Sequence, residues 1–84
     1  RKELEVSEVL VQDFQVGDVV KVLAETVAKD FEGNDIRLPQ GIEGTVVELA
    51  ESEFQLEIEC VVGNEIAVAV VSDDQVELVW RERQ

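Results

Sequence analysis

The sequence predicts an all-β protein, a small domain whose sheet of about five short antiparallel strands curls and closes on itself. Three observations carry this. The stretch Phe54-Gln55-Leu56-Glu57-Ile58-Glu59-Cys60 alternates apolar and polar residues strictly, which puts one set on each face of an extended chain. Turn-forming residues such as Gly63-Asn64 and Ser72-Asp73-Asp74 punctuate the chain at short intervals. Finally, the chain has 84 residues with one cysteine and no histidine, so neither an internal disulfide nor a Cys/His zinc set can staple it. A chain of this length buries only about 60% of the surface its unfolded form exposes, and closing a sheet is an economical way to shelter its edges.

Each element follows in order. Residues 1–15 read as an N-terminal arm, extended or partly helical, because Leu4 and Val6 alternate while Val9, Leu10 and Phe14 can share a helical face. After Gly17, Asp18-Val19-Val20-Lys21-Val22-Leu23 reads as a strand rich in β-branched residues. The long first loop from Ala24 to Gln40 carries Asp30, Gly33, Asn34, Asp35 and Pro39. It is expected to make an irregular hairpin-like excursion, with a helical turn at Glu25–Phe31 as the competing reading. Thr45-Val46-Val47-Glu48-Leu49 reads as the next strand, followed by Phe54–Cys60 and a tight reversal around Gly63-Asn64. Ile66 to Val71 is apolar at every position, which predicts antiparallel pairing with cover on both faces or a shift in facing. Ser72-Asp73-Asp74 predicts a short turn or a single 3₁₀ turn. In the last strand, Val76, Leu78 and Trp80 alternate with Glu77 and Val79, and Trp80 is expected to plug the core, with an exposed anchor as the competing reading. The domain thus spans residues 16–80, with 81–84 as a tail.

The chemistry of the chain is dominated by charge. Seven Lys and Arg face 20 Asp and Glu, giving a net charge of −13. Such a chain repels phosphate, so direct nucleic-acid binding and adsorption to an anionic membrane are both disfavoured. No apolar run approaches the ~18–20 residues of a spanning helix, and the acidic start does not resemble a signal peptide. The single thiol fits a cytoplasmic location or a reducing organelle stroma.

Catalytic groups are scarce. There is no His or Tyr, and the serines lack a candidate base. Cys60 has Glu59 and Val61 as neighbours, the opposite of the basic surroundings that activate a thiol, and reads as core filler. Glu57 and Glu59 share a strand face at a spacing of about 6–7 Å, but a chain this small can hardly build a glycosidase cleft around them. Asp30-Phe31-Glu32-Gly33-Asn34-Asp35 fails the calcium-loop template, since the sixth and twelfth positions are Asp35 and Gly41. No enzyme activity, metal or cofactor is therefore expected.

From Leu38 through Trp80 there is no Lys or Arg, yet carboxylates recur throughout. This anionic half is expected either to keep a Val-rich β protein soluble or to dock a protein partner with a basic surface. The candidate contact residues are Glu43, Glu48, Glu51, Glu53, Glu57 and Glu59, with Asp30 and Asp35 from the long loop.

Four resemblances bear on the fold. Val16-Gly17-Asp18-Val19-Val20-Lys21-Val22 and Leu38-Pro39-Gln40-Gly41-Ile42-Glu43-Gly44-Thr45-Val46-Val47 resemble the first two strands of SH3-like barrels. The cadence of residues 16–79 is similar to an uncharacterised bacterial family of small barrel proteins, which implies a fold and no activity. Gly17-Asp18, the long first loop and Gln40-Gly41-Ile42-Glu43-Gly44 resemble the ferredoxin–thioredoxin reductase variable chain. That likeness implies a regulatory or structural subunit of a redox enzyme, although its histidine-bearing loop has no counterpart here. Gly41 and Gly44 also loosely resemble KOW-type barrels, without the Lys and Arg those present to RNA. The expected function is a non-catalytic acidic binding module or accessory subunit. Its alternatives are the redox-enzyme subunit and a nucleic-acid mimic that occupies a basic groove.

Overall fold

The computed structural model describes residues 14–50 and 55–81. Among them the chain is all-β. Seven strands form one antiparallel sheet: β1 (Val19–Val22), β2 (Thr26–Lys29), β3 (Asp35–Leu38), β4 (Glu43–Leu49), β5 (Gln55–Val62), β6 (Glu65–Ser72) and β7 (Val76–Trp80). Their order across the sheet is β3-β2-β6-β5-β4-β1-β7. The expectation of about five strands in a closed sheet is corrected on both counts. The long first loop supplies two additional strands, β2 and β3, and the end strands β3 and β7 do not pair with each other.

The extra hairpin has a plain local cause. Thr26-Val27-Ala28-Lys29 and Asp35-Ile36-Arg37-Leu38 pair in register, Lys29 opposite Asp35. The five residues between them turn around Asp30, whose Oδ1 accepts from the backbone N–H of Glu32 at 2.9 Å and of Asn34 at 2.8 Å. Those N–H groups hold the Asp30 carboxyl below its usual range, Asn34 contributing most. The hairpin-like excursion therefore forms, and the helical turn at Glu25–Phe31 does not.

Beyond it, β4, β5 and β6 make a meander. The β5–β6 reversal is a two-residue turn in which Gly63 takes φ of 62° while Asn64 stays negative. Glycine at the first central position marks the II′ type, whose twist suits a hairpin. Ser72-Asp73-Asp74 leads into a single 3₁₀ turn, Asp73–Gln75, as expected. Gln75 Oε1 accepts from the Ser72 backbone N–H at 2.7 Å and holds this turn before β7.

The inner faces of all seven strands feed one apolar cluster: Val20 and Val22, Ala28, Leu38, Val46, Leu56 with Ile58 and Cys60, Ala67 with Ala69 and Val71, and Val76. In a flat sheet of this width the end strands would stand about 29 Å apart. Leu38 and Val76 can share a core only because the sheet curls. Asp18 is the one buried charge among the described residues. Arg81, just past β7, clamps it with Nε on Oδ1 at 2.8 Å and a terminal nitrogen on Oδ2 at 2.7 Å. The same Oδ2 accepts from the Gln15 backbone N–H at 2.8 Å, so the start and the end of the sheet are tied at one carboxylate.

Two bulges decide which residues face outward. Unbroken alternation from Val46 would turn Glu48 into the core. A register shift between Val46 and Glu48 makes Val47 the extra residue, so Glu48 faces Glu57 outside and Leu49 lies opposite Leu56. A second shift sets Trp80 opposite Val19 while Leu78 stays opposite Val20. Trp80 is therefore 56% exposed, which corrects the core reading in favour of its exposed alternative.

Candidate functional site

The outer face of β4, β5 and β6 is where the acidic residues converge. Cross-strand neighbours there are Thr45 with Glu59, Glu48 with Glu57, Glu59 with Val68 and Glu57 with Val70. Lys21 of β1 lies opposite Glu43. Four of the expected contact residues, Glu43, Glu48, Glu57 and Glu59, thus share this surface. Glu51 and Glu53, like Phe54 and the arm residues before Phe14, lie outside the described residues.

Asp30 and Asp35 belong elsewhere. Asp30 is occupied in holding its turn, and Asp35 receives the Lys29 ammonium at 2.5 Å. Both residues lie on the β2–β3 hairpin, away from the Glu48–Glu57 pair, and make contacts that shape it.

Neutralisation is uneven. Each Lys and Arg among the described residues already has a carboxylate partner: Lys21 with Glu77 at 3.6 Å, Lys29 with Asp35, Arg37 with Glu25 at 3.3 Å and Arg81 with Asp18. No described cation forms a salt bridge with Glu43, Glu48, Glu57, Glu59 or Glu65. Glu48 and Glu57 sit directly opposite one another, an arrangement of like charges that weakens strand pairing.

Between the carboxylates lie apolar side chains that sequence reasoning missed. Neither the expected cover on both faces of β6 nor the alternative shift in facing is found: Ala67, Ala69 and Val71 point inward and are buried, while Ile66 and Val70 stand 37% and 60% exposed. The larger residues face outward and the two alanines inward, because the curled interior is already filled by Leu56, Ile58 and Leu38. Opposite Ile66, Val61 is 65% exposed. The signal available in the sequence was this unbroken apolar run, whose outward residues Ile66 and Val70 lie open while Val68, opposite Lys29 of β2, is half-buried.

The remaining chemistry is muted. Cys60 is buried, and that burial together with the Glu59 carboxylate raises its thiol above the usual range, so it stays protonated at neutral pH. Burial and the neighbouring Asp74 raise the Asp73 carboxyl. Among the described residues, no three His, Cys, Asp or Glu side chains converge as a metal site, and no helix is long and apolar enough to cross a membrane.

Fold and surface together define an all-β domain with a mixed acidic and apolar outer sheet face. In comparisons with known proteins, no family model matches the chain, and no curated protein or solved structure matches it significantly.

Proposed function

We propose that this chain is a non-catalytic binding module, an SH3-like curled sheet whose outer β4–β5–β6 face docks on a basic surface of another protein. The SH3-like reading is supported by the strand sequence: a first strand, a hairpin excursion, a three-strand meander, a 3₁₀ turn and a last strand returning beside the first. The binding reading is carried by one observation. Glu48 and Glu57 face each other without a described cation between them, while each described Lys and Arg is engaged with another carboxylate. Solubility requires acidic residues somewhere on the surface, but it does not require two of them directly opposed across a strand pair. A partner that brings lysine or arginine to this face relieves that repulsion on binding, which gives both affinity and discrimination against anionic surfaces.

The test is affinity capture from lysate at low and at high salt. It compares the unaltered chain with a variant carrying Gln at Glu43, Glu48, Glu57 and Glu59. A partner retained at low salt, released at high salt and lost in the variant is the expected result. Capture that ignores both salt and the four substitutions would overturn the reading.

A further inference from the structure

The acidic face continues past Glu43 and Glu59 to the far end of the β5–β6 hairpin, where the surface changes character. Val61 and Ile66 are directly opposed and both face outward, forming a ridge one strand pair wide. A cleft flanks this ridge on either side. One, of about 290 Å³, is lined by Asp30, Phe31, Glu32, Asn64, Glu65 and Ile66. The other, of about 240 Å³, is lined by Val19, Glu43, Gly44, Thr45, Glu59 and Val61. Each cleft pairs an apolar wall with carboxylates that have no described ion-pair partner, Glu32 and Glu65 in the first and Glu43 and Glu59 in the second. Phe31, at the hairpin tip, is 83% exposed and offers its ring to the first cleft.

Resting on the binding role proposed above, we infer that this track takes an extended segment of another protein in which an apolar side chain is flanked by two arginines or lysines. Long basic side chains lay their alkyl stems on apolar walls while the charged head meets carboxylate, which is the composition of each cleft. A guanidinium also stacks favourably on an aromatic face such as that of Phe31. The apolar residue between them covers the Val61–Ile66 ridge. Charge selects this occupant over the others. A second copy of the chain brings the same acidic clefts and a net charge of −13, and nucleic acids and anionic bilayers are repelled likewise.

Two blocked peptides, Arg-Ser-Leu-Ser-Arg and Arg-Ser-Ser-Ser-Arg, test the inference in an NMR titration of the whole chain at low salt. Alternation puts the arginines and the leucine on one side of the extended peptide. The leucine peptide is expected to shift the Phe31, Glu59, Val61 and Ile66 amides and to bind about tenfold more tightly than the serine peptide. Val61→Ser abolishes that preference. Val79→Ser, an exposed change on the edge strand β7 away from the track, leaves it intact. Equal binding of both peptides, with shifts centred on Glu48 and Glu57, would overturn the track and leave the acidic-face reading standing. Binding of neither peptide would count against both. A dimer seen by sedimentation and dissolved by Val61→Ser would overturn the assigned occupant.

Discussion

At Gly44 the approach of two strands depends on a missing methyl group. Gly44 lies opposite Cys60, and a Cβ at that position would stand 2.5 Å from Cys60 Sγ and 3.0 Å from the Glu59 carbonyl oxygen. Gly44→Ala is therefore expected to destabilise the fold by about 2 kcal/mol through overpacking. Part of that loss returns in the Gly44→Ala/Cys60→Ala pair, because the shorter side chain removes the nearer clash. Chemical denaturation of the two single variants and the double variant checks this, and simple additivity would show that Cys60 is not the obstacle. The glycine was visible in the sequence as part of a strand motif, but the residue crowding it comes from the next strand and could not be read there. Asp18 is a second case of long-range pairing, since its partner Arg81 lies 63 residues away. The Arg81 guanidinium and the Gln15 N–H hold its carboxyl below the usual range against the opposing effect of burial. A depressed folded pKa means the stabilisation is complete above the ordinary carboxylate pKa of about 3.9 and is lost as pH falls through the lower folded value. Asp18→Asn is expected to cost about 2 kcal/mol at neutral pH. In melts repeated down the acid range, the gap from the unaltered chain narrows only below about pH 4. A gap that persists undiminished into strong acid would contradict the ionic role.

The elements show what alternation alone can and cannot tell. The Leu56, Ile58 and Cys60 face of β5, the antiparallel return of β6 and the 3₁₀ turn before β7 were all legible, because each depends on local spacing and local side-chain hydrogen bonds. The β2–β3 hairpin was legible as an excursion but not as two strands. Four-residue strands give a weak periodic signal, and this hairpin joins the meander through the single pairing of Lys29 with Val68. The two bulges were not legible from strict alternation. A glutamate that would otherwise enter the core, Glu48, was the available clue to the first of them. That bulge also sets a measurable conflict within β4 and β5. Glu48→Gln removes one of two directly opposed charges and is expected to stabilise the fold by about 0.5 kcal/mol while weakening partner binding. Denaturation midpoints and captured-partner affinity measured on the same variant check both halves. A variant that loses stability would show that Glu48 serves the fold.

For the molecule as a whole, the sequence made the charge plain and left its geometry hidden. Ten carboxylates between Leu38 and Trp80 announced an anionic half. Only the register shows that Glu48 and Glu57 are opposed, that Asp30 and Asp35 brace the hairpin, and that Val61 and Ile66 stand among carboxylates without a described ion-pair partner. Composition thus marks the candidates by charge, and strand pairing places Glu43, Glu48, Glu57 and Glu59 on one face. Apolar contact and electrostatic attraction contribute differently to such a face, since salt screens only the second. The most direct test is the affinity for a captured partner measured from about 0.05 M to about 0.5 M salt. The unaltered chain is compared with the Glu43→Gln/Glu48→Gln/Glu57→Gln/Glu59→Gln variant. A steep decline for the unaltered chain and a shallow one for the variant is the predicted result; parallel declines, or none in either, would contradict it.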